Sequence, residues 1–160
     1  MIYTEDTKKA MKIAYDSHKE QVDISGIPYI YHPIHLAEQM TDETSVCVAL
    51  LHDVVEDTAM TFEDLESLGV KEEVIIALRL LTHDESTPYM DYIRTIKKSE
   101  NRTALMVKLA DLYHNSDTTR LIVAEEKDYL RNEKYKKAIE YLESGEDLLK
   151  DKVYIEENNL

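Results

Sequence analysis

Apolar residues at helical spacing fill most of this sequence, and they constrain its fold more than any other feature. In the segment 72–81, for example, Val74, Ile75, Leu78 and Leu81 fall on one face of a helix. Only 3 Gly and 3 Pro interrupt such segments, and few stretches alternate polar and apolar residues as a strand does. The sequence therefore predicts an all-α fold.

A chain of 160 residues has the usual size of one domain and can bury a substantial core. We expect a single domain over residues 1–160, with the C-terminal helices of residues 125–155 packed on the rest. The predicted helices cover residues 4–21, 33–40, 44–57, 61–69, 72–81, 89–98, 101–114, 129–141 and 146–154.

The formal net charge of −14 excludes several classes of partner. Phosphate backbones and anionic membrane surfaces both select basic proteins, so we expect neither nucleic acid nor a membrane as partner. No apolar run approaches the roughly 20 residues of a membrane span. The single cysteine, Cys47, lies in an apolar helical segment, which favours a reduced, cytoplasmic setting. A homo-oligomer is compatible with the sequence.

One apolar segment carries ionisable side chains that seldom occur in such a place. Residues 47–55 are apolar except for His52 and Asp53, and Glu56 and Asp57 follow directly. Residues three or four apart share a helix face, so one inward-facing sector can carry an imidazole and up to three carboxylates. Buried charges are costly unless they are paired or bind a metal. A divalent cation is the simplest agent that makes this arrangement tolerable, which predicts a metalloenzyme.

Metal-binding residue types also occur in two other apolar segments, at His32 and at Asp111. Together with His52 and Asp53 they offer two imidazoles and two carboxylates. Such a set suits Mn²⁺, Fe²⁺ or a similar ion, and leaves positions for water and a substrate oxygen. Zinc is also compatible, although closed structural zinc sites favour the cysteine ligands that this sequence lacks.

The candidate metal ligands and the acidic pair lie in three longer sequence blocks. The blocks are Gly26-x-Pro28-Tyr29-Ile30-x-His32-Pro33, Leu51-His52-Asp53-Val54-Val55-Glu56-Asp57-Thr58 and Lys108-Leu109-Ala110-Asp111-x-x-His114-Asn115. They resemble the HD superfamily of metal-dependent phosphohydrolases, and more narrowly the hydrolase domain of RelA/SpoT proteins and the small alarmone hydrolases. The similarity runs in order over about residues 8–120, and it implies an HD-type helical bundle that removes the 3′-pyrophosphate from guanosine tetra- or pentaphosphate.

The resemblance also implies a set of metal ligands. With Mn²⁺ as the cofactor, these would be His32, His52, Asp53 and Asp111. A bound metal lowers the pKa of a water molecule and polarises a phosphoryl oxygen, so it supplies both a nucleophile and charge stabilisation.

Other matched positions would act on the water and the substrate. Glu56 and Asp57 correspond to the acidic pair that orients or deprotonates the attacking water. Asn115 and Thr118 correspond to positions near the bound nucleotide. Lys108 lies three residues before a predicted metal ligand, where it can either pair with that carboxylate or contact a substrate phosphate.

Two segments depart from the family pattern. Asp23 and Ile24 occupy the positions where the alarmone hydrolases carry the Arg and Lys that hold the guanine nucleotide, and Leu112 and Asp117 replace two further arginines. Neither Asp nor Leu supplies the planar donor fork of arginine. The residues matched to metal binding and hydrolysis are unchanged, so an alarmone hydrolase stays the leading prediction. Hydrolysis of another nucleotide or phosphoester, or a metal- or nucleotide-sensing module with little turnover, remains an alternative.

The remaining histidines and the C-terminal helices receive no catalytic role from the sequence. We expect His114 to pack or to form a hydrogen bond behind the metal ligands. His35 and His83 carry no functional signal, and the charged faces of the last two helices have the composition of solvated surface.

Overall fold

Helices make up nearly all the regular structure of the computed structural model, which describes residues 1–121 and 125–144. Within those residues there is no strand, and an isolated antiparallel bridge joins Val22 to Pro28. The prediction of an all-α fold is confirmed. The helices are α1 (Glu5–His18), α2 (Tyr31–Glu38), α3 (Glu43–Leu51), α4 (Val54–Asp57), α5 (Phe62–Ser67), α6 (Glu72–Leu81), α7 (Tyr89–Lys98), α8 (Arg102–Ser116) and α9 (Glu126–Glu143), with a 3-10 turn at Thr118–Arg120.

Helix α3 forms the centre of the fold. All its residues from 45 to 51 are buried, and it packs against α1, α2, α6 and α8. A helix that is apolar all round must be enclosed by other helices, and α3 has this composition. Its start is set by Asp42, whose carboxylate accepts the backbone N–H of Ser45 at 2.9 Å. Because α3 is enclosed, the residues that follow its C-terminal end enter the interior of the protein.

The prediction of one continuous helix over residues 44–57 is wrong at its middle. Helix α3 ends at Leu51 and α4 begins at Val54, with His52 and Asp53 in the turn between them. Consecutive side chains on a regular helix point about 100° apart, so these two residues could not both face one point. In the turn, Asp53 adopts φ −99° and ψ −3°, and its carboxylate lies 2.8 Å from the imidazole of His52.

The peripheral helices follow their sequence signals closely. Helices α6 and α7 have the predicted bounds. A capping box starts α5, since Thr61 and Asp64 exchange side-chain to backbone hydrogen bonds of 2.9 and 3.1 Å. Gly69 follows α5 with φ +74°, a conformation that closes the helix and strains other residues.

Helix α9 packs along α8 and α7 and buries Ala138, Ile139 and Leu142. It therefore covers the part of the bundle from which Asp111 projects. The helix predicted over residues 146–154 lies outside the described residues. No helix within residues 1–121 and 125–144 is both long and apolar enough to cross a bilayer.

Candidate metal centre and substrate cavity

Four side chains from three parts of the chain meet in the interior. His32 comes from the first turn of α2, His52 and Asp53 from the turn after α3, and Asp111 from α8. The Nε2 atom of His32 lies 3.3 Å from Nε2 of His52 and 3.3 Å from Oδ1 of Asp111. One donor atom from each of the first three residues lies within 4.8 Å of the others, and Asp111 borders this group. The four residues that the sequence assigns to a metal are thus brought together.

Hydrogen bonds on the outer side of both imidazoles fix the orientation of the rings. Nδ1 of His52 lies 2.8 Å from the carbonyl oxygen of Ala49, so Nδ1 carries a proton and Nε2 is the atom that can bind a metal. Nδ1 of His32 lies 2.6 Å from Nδ1 of His114. Burial and the charge of Arg120 lower the pKa of His114 to about 4, so this ring is neutral and can accept a proton from Nδ1 of His32. The two Nε2 atoms, 3.3 Å apart, are therefore the ring atoms that a shared metal ion would contact.

The charges around this point favour a cation. Burial lowers the pKa of His52, but the carboxylates of Asp53 and Asp111 outweigh burial and raise it to about 9. Burial alone would raise the pKa of Asp111, whereas Lys108 and the two imidazoles hold it well below its usual range. Two facing imidazole nitrogens and two carboxylates therefore fit a divalent cation, because it supplies the positive charge that this environment prefers.

Three polar side chains hold the carboxylates in place. The Tyr29 hydroxyl donates to Oδ2 of Asp53 at 2.5 Å, and the Asn115 amide donates to Oδ1 of Asp111 at 2.6 Å. Lys108 donates to Oδ2 of Asp111 at 2.9 Å. Of the two contacts that the sequence leaves open for Lys108, the structure shows the pairing with this carboxylate. Such hydrogen bonds orient ligands and tune their basicity.

Glu56 lies beside this centre and is held from outside by a loop. Its Oε2 accepts the backbone N–H of His83 at 2.8 Å, and the His83 ring is fixed by a 2.8 Å hydrogen bond to the carbonyl of Thr87. Burial, assisted by the charge of Asp53, raises the pKa of Glu56. A carboxylate with a raised pKa is a better proton acceptor. Sequence analysis assigns no role to His83, because His83 contacts Glu56 through its backbone N–H, a group common to nearly all residues.

Asp57 is held through its backbone. Its carbonyl oxygen accepts a 2.9 Å hydrogen bond from Nε2 of the Gln21 side chain, and Oε1 of the same side chain lies 2.6 Å from Nδ1 of the buried His18. Burial and the charge of Asp53 raise the pKa of the Asp57 carboxyl. The segment after α1 thus fixes the end of α4, leaving the Asp57 carboxylate free to face the cavity.

A cavity of about 340 Å³ opens directly onto these residues. Its walls include His52 and Asp53 from the turn after α3, Asp111 from α8, the acidic pair, and Lys108. Helix α9 adds Lys134 and Tyr135. The expectation that the charged face of this helix is only solvated surface is therefore incomplete, since Lys134 is exposed but also borders the cavity.

A second cavity, of about 240 Å³, adjoins the first through Tyr29, Asn115 and Tyr135, which line both. Its walls also include Asp23 and Ile24. Asn115, predicted to lie near the nucleotide, is thus placed between the two cavities. Thr118 begins the 3-10 turn and lines neither of them.

Asp23, which stands at an arginine position of the family pattern, has structural contacts in this protein. Its Oδ1 accepts the backbone N–H groups of Ser25 and Ile27 at 2.8 and 3.0 Å, in a turn where Gly26 has φ +77°. Its Oδ2 lies 3.6 Å from a guanidinium nitrogen of Arg120. The carboxylate therefore fixes the turn beside the second cavity and pairs with a cation there.

Comparison with known proteins identifies the chain. No family model matches it. It is 34% identical over 123 residues to the bifunctional (p)ppGpp synthase/hydrolase SpoT of Escherichia coli K12, a match that covers 69% of this chain and 18% of that protein. It is 34% identical over 139 residues to the GTP pyrophosphokinase rsh of Brucella melitensis, covering 74% and 18% of the two chains. A solved structure of a metazoan ortholog of SpoT that hydrolyzes ppGpp superposes with a TM-score of 0.71 and 25% identity, over 100% of this chain and 99% of that one.

This chain is an HD-type, RelA/SpoT hydrolase-like domain. The resemblance stated from the three sequence blocks is confirmed, and so is the HD-type helical bundle that it implied. The RelA/SpoT hydrolase-like domain spans only 18% of the length of the curated relatives it matches.

Proposed function

We propose that this RelA/SpoT hydrolase-like domain is a metal-dependent phosphohydrolase that removes the 3′-pyrophosphate from guanosine 3′-diphosphate alarmones. The observation that carries the proposal is the meeting of His32, His52, Asp53 and Asp111 beside a cavity that also contains Glu56. A relative in Escherichia coli O157:H7, also 34% identical over 123 residues, is named guanosine-3′,5′-bis(diphosphate) 3′-pyrophosphohydrolase, which supports this substrate.

We assign Mn²⁺ to the four residues of the metal centre, with Fe²⁺ as the alternative. Mixed imidazole and carboxylate donors suit these ions, and the facing Nε2 atoms of His32 and His52 present lone pairs to a shared point. When bound, the ion supplies Lewis-acid charge and promotes ionisation of water.

The protein's own residues then have distinct tasks. Glu56 accepts the proton of the attacking water, for which its raised pKa suits it. Asp57 orients that water from the adjacent position. Asn115, which borders both cavities, contacts the nucleotide, and Lys108 keeps Asp111 ionised and in place.

A second candidate function, hydrolysis of a different nucleotide, is favoured by one observation. The Asp23 carboxylate is engaged by the turn and by Arg120, so a negative group replaces the family's guanine-binding cation. Ile24, 67% exposed, presents an apolar side chain where the family has a lysine. The proposal also includes a cytoplasmic location and a small phosphorylated molecule, rather than nucleic acid or a membrane, as partner.

The proposal is tested by measuring pyrophosphate and phosphate release from a panel of nucleotides with Mn²⁺ present. We expect pyrophosphate release from the alarmone, its loss together with metal binding in Asp53→Ala, and unchanged rates in Glu63→Gln, an exposed acid on α5. Turnover of another nucleotide in place of the alarmone would favour the second candidate. Metal binding without any turnover would favour a sensor.

A further inference from the structure

The cavity beside the metal centre is short of positive charge for the substrate that we propose. Its walls carry four carboxylates and two ammonium groups, a formal excess of two negative charges when the histidines are neutral. A divalent ion would only neutralise this excess. A pyrophosphate group brings roughly two to three further negative charges, because the last ionisation of such groups occurs near pH 6. A cation not already paired with a carboxylate is therefore needed to bind it.

The two lysines of the cavity differ in whether their ammonium groups are paired with a carboxylate. Lys108 is buried and its ammonium is paired with Asp111 at 2.9 Å, which raises its pKa well above the usual value. Lys134 has no carboxylate within 4.0 Å among residues 1–121 and 125–144. Its Nζ instead lies over the rings of Tyr89 and Tyr135, 4.4 and 5.4 Å from their centroids. Both tyrosines also line the cavity.

Two other cations of α9 near Lys134 are engaged locally. Arg131 pairs with Asp128 at 2.8 Å and Lys136 pairs with Glu133 at 2.9 Å. Burial, with the charges of Lys108 and Arg131, lowers the pKa of Lys134. The two charges that act on this ammonium are positive, and a bound anion would offset their repulsion.

We propose that Lys134 binds the pyrophosphate group of the substrate in the cavity beside the metal centre. Tyr89 and Tyr135 hold its methylene chain and ammonium toward that cavity, and Lys108 adds charge from α8 without leaving Asp111. This inference rests on the proposed function for the identity of the substrate. It makes α9, which lies beyond the family-like blocks, part of substrate recognition.

The test compares Lys134→Met with the wild-type protein. Met keeps an apolar chain against the two tyrosines and removes only the charge, so the melting temperature should not change. Inorganic pyrophosphate is titrated into Mn²⁺-loaded protein at fixed free Mn²⁺, and alarmone kinetics are measured in parallel. We expect the Kd for pyrophosphate and the KM for the alarmone each to rise about tenfold, with kcat within about twofold, since hydrogen bonds to charged groups are worth about that much.

Lys136→Met is the matched control, because Lys136 lies on the same helix and is absent from the cavity wall. It should leave both constants unchanged, and Mn²⁺ affinity should be unchanged in both variants. The inference is overturned if Lys134→Met has an unaltered Kd for pyrophosphate, or if the wild-type protein does not bind pyrophosphate. The proposed function would still stand in either case if the wild-type protein hydrolyses the alarmone. If Lys134→Met binds pyrophosphate more weakly but the wild-type protein does not hydrolyse the alarmone, the proposed substrate is rejected and the anion site at Lys134 is retained.

Discussion

Replacing His114 by Phe tests whether the hydrogen bond behind His32 prepares the metal centre. The His114 ring lies edge to edge with His32 and nearly parallel to it, with centroids 4.9 Å apart and planes at 13°, and it is stacked on His35 at 4.3 Å. Phe can keep the stack on His35, but it removes the nitrogen that accepts the His32 proton. His32 is only 5% exposed, so water cannot easily replace that acceptor. Leaving a buried donor unpaired costs about 1–3 kcal/mol, which corresponds to a loss of roughly 5- to 150-fold in affinity.

Isothermal titration of Mn²⁺ measures this loss directly. We expect His114→Phe to bind Mn²⁺ about 10- to 100-fold more weakly, the range found when residues that hold metal-ligating histidines are changed. His35→Phe is the control, because His35 stacks on the same ring without bonding His32. Wild-type affinity in His114→Phe, or an equal loss in His35→Phe, would refute the idea that this hydrogen bond fixes the ligand.

Two further predictions concern turnover and substrate choice. Glu56→Gln should retain Mn²⁺ binding in titrations and lose roughly 10²- to 10⁴-fold in kcat. Since burial raises the pKa of Glu56, wild-type activity should fall as pH drops through that raised value, and a variant with an unchanged rate would remove Glu56 from the mechanism. Ile24→Lys should raise kcat/KM for the alarmone, measured as pyrophosphate release, because it restores a cation beside the second cavity. Asp23→Arg should instead lower the free energy of unfolding by about 1–2 kcal/mol in urea titrations, because it removes two hydrogen bonds of the turn; greater stability would contradict this.

The sequence predicts most of the fold because the helices carry local signals. The bounds of α6 and α7 follow from apolar spacing, and α5 follows from its capping residues. The break after α3 has no such signal. Residues 44–57 are compatible with one helix by local preference, and the turn at His52 and Asp53 follows from tertiary contacts that bring both side chains to one point.

The residues of the candidate site also divide into those with a local sequence signal and those without one. Residue types and spacing predict the group around His32 and Asp111 from the sequence alone. The contribution of His83 is a backbone N–H, and that of Lys134 depends on how α9 lies over the cavity. Neither contact can be predicted from the local sequence, because both arise from packing between distant segments.

The separation of the metal-binding candidates along the chain has a consequence for folding. His32 and Asp111 are 79 positions apart, yet His32 Nε2 and Asp111 Oδ1 lie 3.3 Å from each other. An ion held by both would act as a reversible cross-link that closes a long loop, and it would bind the native state alone. At a free ion concentration 100 times its Kd, such a cross-link would raise the free energy of unfolding by about 2.7 kcal/mol. The concentration of free metal would then set the stability of the folded state as well as the rate of hydrolysis.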